Sequence, residues 1–186
     1  KDYEESSLTT PETFELFEKL SEAAKNGLEY LVMEVSSQAL KYHRTYGLRF
    51  NFAGYLNLDE DHISPGEHSD FEDYKASKLL LFKACDVAVL NKDSQYYEDF
   101  LNKCVDAKKV ISFSSKGLDA DYRACDINAK NGVLEFNIVY HDASRDTDEP
   151  VRKSNFIILS SGEFNIDNAL LATSIGSELN VPYEDM

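Results

Sequence analysis

Three short apolar runs without polar alternation, at residues 28–35, 50–58 and 86–91, constrain the fold most. Strands that read apolar on every position are buried on both faces, which is the habit of parallel sheets covered by helices. The stretches between and beside them have helical spacing instead. Pro11 opens one, with Thr10 as a possible N-cap and Phe14, Phe17, Leu20 and Ala24 recurring on one side; Asn26-Gly27 reads as its stop. Residues 71–82 form another, with Tyr74, Lys78 and Phe82 four residues apart on one face. A third helical stretch covers 94–104, and a short strand follows near 110–113.

The texture changes beyond residue 120. Asn131-Gly132 stands between two strand-like runs within 122–140, a strong hairpin signal. Residues 142–150 read as a polar loop, 154–160 as another strand, and Gly162 leads into a helix over about 165–180. The expected architecture is a single α/β domain over residues 1–186: a Rossmann-like, mostly parallel sheet flanked by helices, with an antiparallel β extension near its C-terminal end.

A chain of 186 residues suffices for one such domain with a real core. With 42% hydrophobic and 28% charged residues it has a soluble globular composition, and no stretch nears the ~18 apolar residues of a membrane span. The charged start, Lys1-Asp2-Tyr3-Glu4-Glu5, does not read as a secretory leader. A net charge of -15 argues against nucleic acid as a partner, although a metal ion or a few local cations would still let the chain bind polyphosphate. The three cysteines, Cys85, Cys104 and Cys125, match no zinc spacing, and they fit free thiols in a reducing cytoplasm.

Ligands of open parallel sheets collect outside the carboxyl ends of the strands. Two polar clusters follow expected strands: Met33-Glu34-Val35-Ser36-Ser37-Gln38 and Asn57-Leu58-Asp59-Glu60-Asp61-His62. Glu34 and His62 could there offer a carboxylate and an imidazole to a divalent metal. Taken alone, Glu34 reads better as a solvated strand end and His62 as a capping or surface residue.

Thr9-Thr10-Pro11, the two clusters, Tyr74-Lys75-Ala76-Ser77-Lys78 with Leu81-Phe82, and Gly162-Glu163-Phe164-Asn165-Ile166-Asp167-Asn168-Ala169-Leu170 together resemble the Mur ligase pattern, in its MurE form. The resemblance runs over nearly the whole chain, and the blocks keep the family's order. It implies an enzyme that uses ATP and Mg2+ to phosphorylate the carboxylate of UDP-MurNAc-dipeptide; the amine of an amino acid then displaces phosphate. Phosphoryl transfer concentrates negative charge, which is why magnesium and fixed cations belong in such a site.

By the same resemblance Glu34 and His62 would be magnesium ligands, and Lys78 would be the family's carbamylated lysine. Carbamylation inverts a charge, turning a cationic amine into an anion able to sit beside magnesium, and a depressed amine pKa favours it. Lys75 is the competing lysine, and an ordinary helix-surface role is the bland alternative for Lys78. Thr9, Thr10, Ser36 and Arg44 would contact the muramyl-peptide substrate, Arg44 through its planar fork. Asn165 and Asn168 would lie near the adenine of ATP, although Asn165 could equally cap the last helix.

Gln38 stands where the family often has His, Glu60 alters the charge before Asp61-His62, and the loop over 63–69 is longer than the family pattern, so His68 aligns only loosely with a family histidine. Nothing matches the G-x-x-x-x-G-K-[ST] phosphate loop. The resemblance places that loop and the uridine-binding domain upstream of Lys1, and the domain that selects the amino acid at or after Met186. Related readings are a cyanophycin or folylpolyglutamate synthetase-like ligase, or a non-catalytic binding module of the same fold.

Overall fold

The computed structural model describes residues 8–59, 63–64, 67–140, 151–160 and 162–186. Its elements are α1 (Thr13–Lys25), α2 (Ser37–Lys41), β1 (Phe50–Tyr55), α3 (Phe71–Leu79) running into a 3-10 turn (Leu80–Lys83), β2 (Cys85–Asn91), α4 (Tyr97–Leu101), β3 (Lys109–Ser114), β4 (Tyr122–Lys130), β5 (Val133–Tyr140), β6 (Val151–Ile158) and α5 (Phe164–Glu178). The chain divides into two compact units, one of residues 1–49 and 59–84, the other of 50–58 and 85–186.

The second unit contains the whole sheet. Six strands lie in the order β1-β2-β3-β4-β5-β6, parallel from β1 to β4 and antiparallel from β4 to β6. This is the expected mostly parallel sheet with its antiparallel extension. Two of the three non-alternating runs become β1 and β2, paired with Phe52 opposite Val87 and Gly54 opposite Val89. The Asn131-Gly132 turn links β4 to β5, and both residues take positive φ (52° and 77°), as a two-residue hairpin loop with right-handed twist requires. Against the sheet packs α5, whose Ile166 and Leu170 join Val89, Ile111, Phe113, Leu134, Phe136 and Ile138 in one buried cluster. Gly54 admits this helix closely, since a Cβ there would lie 2.8 Å from Leu171 Cδ2.

The first unit is helical. Asp70 caps α3, its carboxylate accepting from the Asp73 amide at 2.8 Å. At the end of α1, Gly27 turns left-handed (φ 75°), and the Leu28 amide donates to the Ala23 carbonyl, closing the helix as its Asn-Gly signal predicts.

Three expectations need correction. Residues 28–35 form no strand: Leu28, Tyr30, Leu31 and Val32 are 60–97% exposed, and no ladder partner exists for them among the described residues. An apolar run becomes a strand only where a neighbouring strand satisfies its backbone, and hydrophobicity does not reveal that neighbour. Thr10 is not the N-cap of α1, because the helix starts later, with Glu12 in the cap position and no side-chain cap bond. The buried side of α1 is Leu16, flanked by half-buried Leu20 and Ala23, whereas Phe14 and Phe17 face outward. The polar stretch 142–150 lies outside the described residues. No helix among the described residues is long and apolar enough to cross a membrane.

Candidate functional site

The site-bearing segments of the helical unit are held by Thr10. Its side chain is fully buried; the hydroxyl donates to the Glu34 carbonyl and accepts from the Ser36 amide, both at 3.0 Å. One hydroxyl thereby satisfies two backbone groups of a segment that has no secondary structure of its own. Ser36 then caps α2, accepting from the Ala39 amide at 3.1 Å. Thr9 is exposed.

Arg44 lies beside this arrangement. Its Nη2 pairs with Glu12 Oε1 at 2.8 Å and its Nη1 reaches the Thr10 carbonyl at 3.4 Å, while its buried Nε has no hydrogen-bond partner. The guanidinium is thus partly neutralised, and an incoming anion would compete with Glu12 for it.

Lys78 occupies the last turn of α3 and is half-buried, its Nζ 5.8 Å from the centre of the Tyr74 ring. Burial pushes its pKa below the ordinary lysine value, and the Glu34 carboxylate acts in the opposite direction. Two residues 44 positions apart in sequence, one on a loop and one on a helix, are thus within electrostatic reach of each other. His62 lies outside the described residues.

The donor chemistry bears on magnesium directly. Glu34 supplies the hard oxygen that this ion prefers, but a cationic Lys78 beside it would repel a second positive charge. As a carbamate the same side chain would supply oxygens and reverse that sign, so the pair fits the ion only in the modified state. Among the described residues no group of three or more His, Cys, Asp or Glu gathers as a metal cluster.

The sheet unit holds the other two expected residues. Asn165 lies in the first turn of α5 and donates from Nδ2 to Ser160 Oγ at 2.7 Å and to the Gly162 carbonyl at 3.1 Å. It is not the N-cap, a position taken by Glu163. Asn168, exposed one turn on, donates to Asn165 Oδ1 at 3.3 Å.

Two acidic residues of this unit escaped the sequence reading. Asp93, just after β2, accepts from Ser114 Oγ and the Ser115 amide, both at 2.7 Å, and from the Lys116 amide at 3.1 Å. Burial raises the pKa of Asp167 in α5, hydrogen bonding from Ser115 acts against this, and the Asp93 charge adds to the rise. The strand-end position of Asp93 was the available signal. Asp167 lies inside the Gly162–Leu170 block, but helical spacing does not say which neighbour a polar residue meets.

Two open concavities among the described residues lie elsewhere, one bounded by Lys92, Ser112, Asp119, Ala120 and Asp121, the other by Lys41, Tyr42, Ile63, Ser64, Glu67, His68 and Ser69. Neither includes Glu34 or Lys78.

Residues 1–176 match the family profile of the Mur ligase middle domain. The chain belongs to the Mur ligase family, the class that its sequence blocks and its sheet had indicated. Within that family it is 38% identical over 188 residues to a UDP-N-acetylmuramyl-tripeptide synthetase of Bifidobacterium longum, covering 98% of this chain and 35% of that protein. It is 39% identical over 138 residues to the UDP-N-acetylmuramoyl-L-alanyl-D-glutamate--L-lysine ligase of Streptococcus thermophilus, covering 66% of this chain and 29% of that one. A solved UDP-N-acetylmuramoyl-L-alanyl-D-glutamate--2,6-diaminopimelate ligase superposes over 92% of this chain and 34% of its own, with a TM-score of 0.75 at 26% identity. The chain thus spans about a third of the length of these relatives.

Proposed function

We propose that this chain is the middle domain of an ATP-dependent, cytoplasmic ligase that adds an amino acid to UDP-MurNAc-dipeptide during peptidoglycan precursor synthesis. The substrate carboxylate attacks the γ-phosphorus of ATP and ADP leaves. The amine of the incoming amino acid then attacks the acyl carbon, and phosphate leaves as the amide forms. The observation that carries this reading is the match of residues 1–176 to the Mur ligase middle domain; the half-burial of Lys78, which lowers its pKa, and the Glu34 carboxylate that acts against this fit the expected site.

A depressed pKa leaves more of the amine neutral, and only the neutral amine attacks the carbon of CO2, losing one proton as the carbamate forms. Glu34 and that carbamate, with His62 by family resemblance, would hold Mg2+, whose charge offsets that on the transferring phosphoryl group. Thr10 keeps the Glu34–Ser36 backbone in place. Thr9, Ser36 and Arg44 serve the muramyl-peptide, with Glu12 released from Arg44 as the substrate anion arrives. Asn165, braced by Ser160, orients Asn168 toward the nucleotide base.

The test is ATP-dependent ligation of UDP-MurNAc-dipeptide by the full-length protein that carries this domain, beside Lys78→Ala, with and without added bicarbonate. Wild-type ligation that Lys78→Ala abolishes supports both the reaction and the carbamate. Ligation indifferent to Lys78 removes that residue from the mechanism, and no ligation with any diamino acid sinks the proposed reaction. The isolated chain should release no substrate-dependent phosphate.

A further inference from the structure

We propose that His68 is a positioning residue of the phosphoryl-transfer site, fixing the segment that carries Glu34 against the helix that carries Lys78; the proposal rests on the ligase reading above. His68 is only 2% exposed, although it sits in a loop. Its Nε2 lies 2.9 Å from Ser37 Oγ, at the first residue of α2 and three positions after Glu34. Its ring packs against Tyr74, with centroids 5.3 Å apart, and Tyr74 is the ring over which the Lys78 ammonium sits. One imidazole thus touches the α2 start on one side and the Lys78 support on the other.

The second end of α2 is tied to the same helix. Lys41 donates to Asp73 of α3 at 2.6 Å and to the Glu67 carbonyl at 3.0 Å, and Asp73 also accepts from the Ser69 amide at 3.1 Å. His68 Nδ1 lies 3.4 Å from Asp73 Oδ2 without hydrogen-bond geometry. The His68 loop is therefore clamped between two helices.

The order Ser37, His68, Asp73 is that of a nucleophilic triad, but the surroundings exclude that role. Ser37 is 5% exposed, which leaves a substrate no approach to its hydroxyl, and the Asp73 carboxylate is already engaged by Lys41. The arrangement holds two segments at a fixed distance and attacks nothing.

Phosphoryl transfer is sensitive to such spacing, and a misplacement of about 1 Å can cost roughly a hundredfold in rate. In the full-length enzyme, His68→Ala should lower kcat about ten- to a hundredfold and raise the Mg2+ concentration for half-maximal rate, while KM for ATP stays within about twofold. Ser37→Ala, which deletes only the hydroxyl end of the bridge, should move the same two parameters the same way. His68→Gln, whose amide nitrogen can still reach Ser37, should recover most of the rate. Ser37→Ala also decides the matter if His68→Ala does not fold. Wild-type kcat and Mg2+ requirement in both alanine variants would overturn the proposal and reduce His68 to a packing residue, whatever happens to the melting temperature. No turnover by the wild-type enzyme would instead overturn the ligase reading, and this proposal with it.

Discussion

The two units differ in the balance of apolar and polar groups that they bury. The buried set of the sheet unit is mostly apolar, with Leu134, Ile138 and Leu170 fully buried and Phe136 nearly so, although Val105, Leu159 and Phe164 face solvent. The buried set of the helical unit divides almost evenly between apolar side chains, such as Leu16, Leu40, Leu79 and Phe82, and polar ones, such as Thr10, Ser37, His68 and Ser77, while Phe14 and Val32 are 92% and 97% exposed. Apolar burial is non-directional and tolerates repacking, whereas a buried hydroxyl or imidazole must meet its partner at one distance and angle. The unit that carries Glu34 and Lys78 thus leans more heavily on directional contacts, which suits a site whose parts must be held in register.

The largest expected effect comes from attacking that contrast at its apolar end. Phe136→Ala should cost about 3–5 kcal/mol of unfolding free energy, because the side chain is enclosed and the cavity cannot fully collapse. Phe14→Ser in the helical unit should change stability by no more than about 0.5 kcal/mol. Urea denaturation of both variants checks this. A large loss at Phe14 would mean that its exposed face is covered in solution.

This asymmetry also decides what was legible in the sequence. The strands at 50–55, 85–91 and 109–114 were readable because continuous apolar runs are what full burial requires, and Asn131-Gly132 because few other pairs accept two positive φ angles. The resemblance blocks pointed to Glu34 and Lys78, which the fold brings within electrostatic reach. Residues 28–35 misled, since an apolar run does not state whether a partner strand is present. Thr10 was read as a helix cap because capping is local. Its actual bonds span 24 and 26 residues, and no spacing rule sees that far. His68 was placed only loosely, as its burial depends on Ser37 and Tyr74 arriving from two helices.

Thr10 also offers the sharpest test of the directional half. Thr10→Val keeps the shape and removes the hydroxyl, leaving the Glu34 carbonyl and the Ser36 amide unpaired. The expected cost is about 1–3 kcal/mol, smaller than at Phe136 but concentrated in one segment. Hydrogen exchange should show the Ser36 amide accelerated while amides of β2 and β5 keep their protection. Uniform acceleration along the chain would show instead that Thr10 stabilises the molecule as a whole.

The smallest effect separates charge from shape in the same unit. Lys41 and the Ser69 amide, which hydrogen-bond the Asp73 carboxylate, hold its pKa at about 2 against an ordinary 3.8. A carboxyl whose folded pKa is depressed binds fewer protons folded than unfolded, so stability rises with pH through that interval. Its contribution is complete above 3.8 and disappears as the pH falls through about 2. Asp73→Asn should therefore melt below wild type at neutral pH, with the gap narrowing below pH 3.8 and closing near 2. Because the carboxylate is partly exposed, salt should narrow the gap at neutral pH too, by screening the pair with Lys41. A gap independent of both pH and salt would assign Asp73 a steric role, and the clamp between α2 and α3 would then rest on the geometry of its hydrogen bonds rather than on their charge.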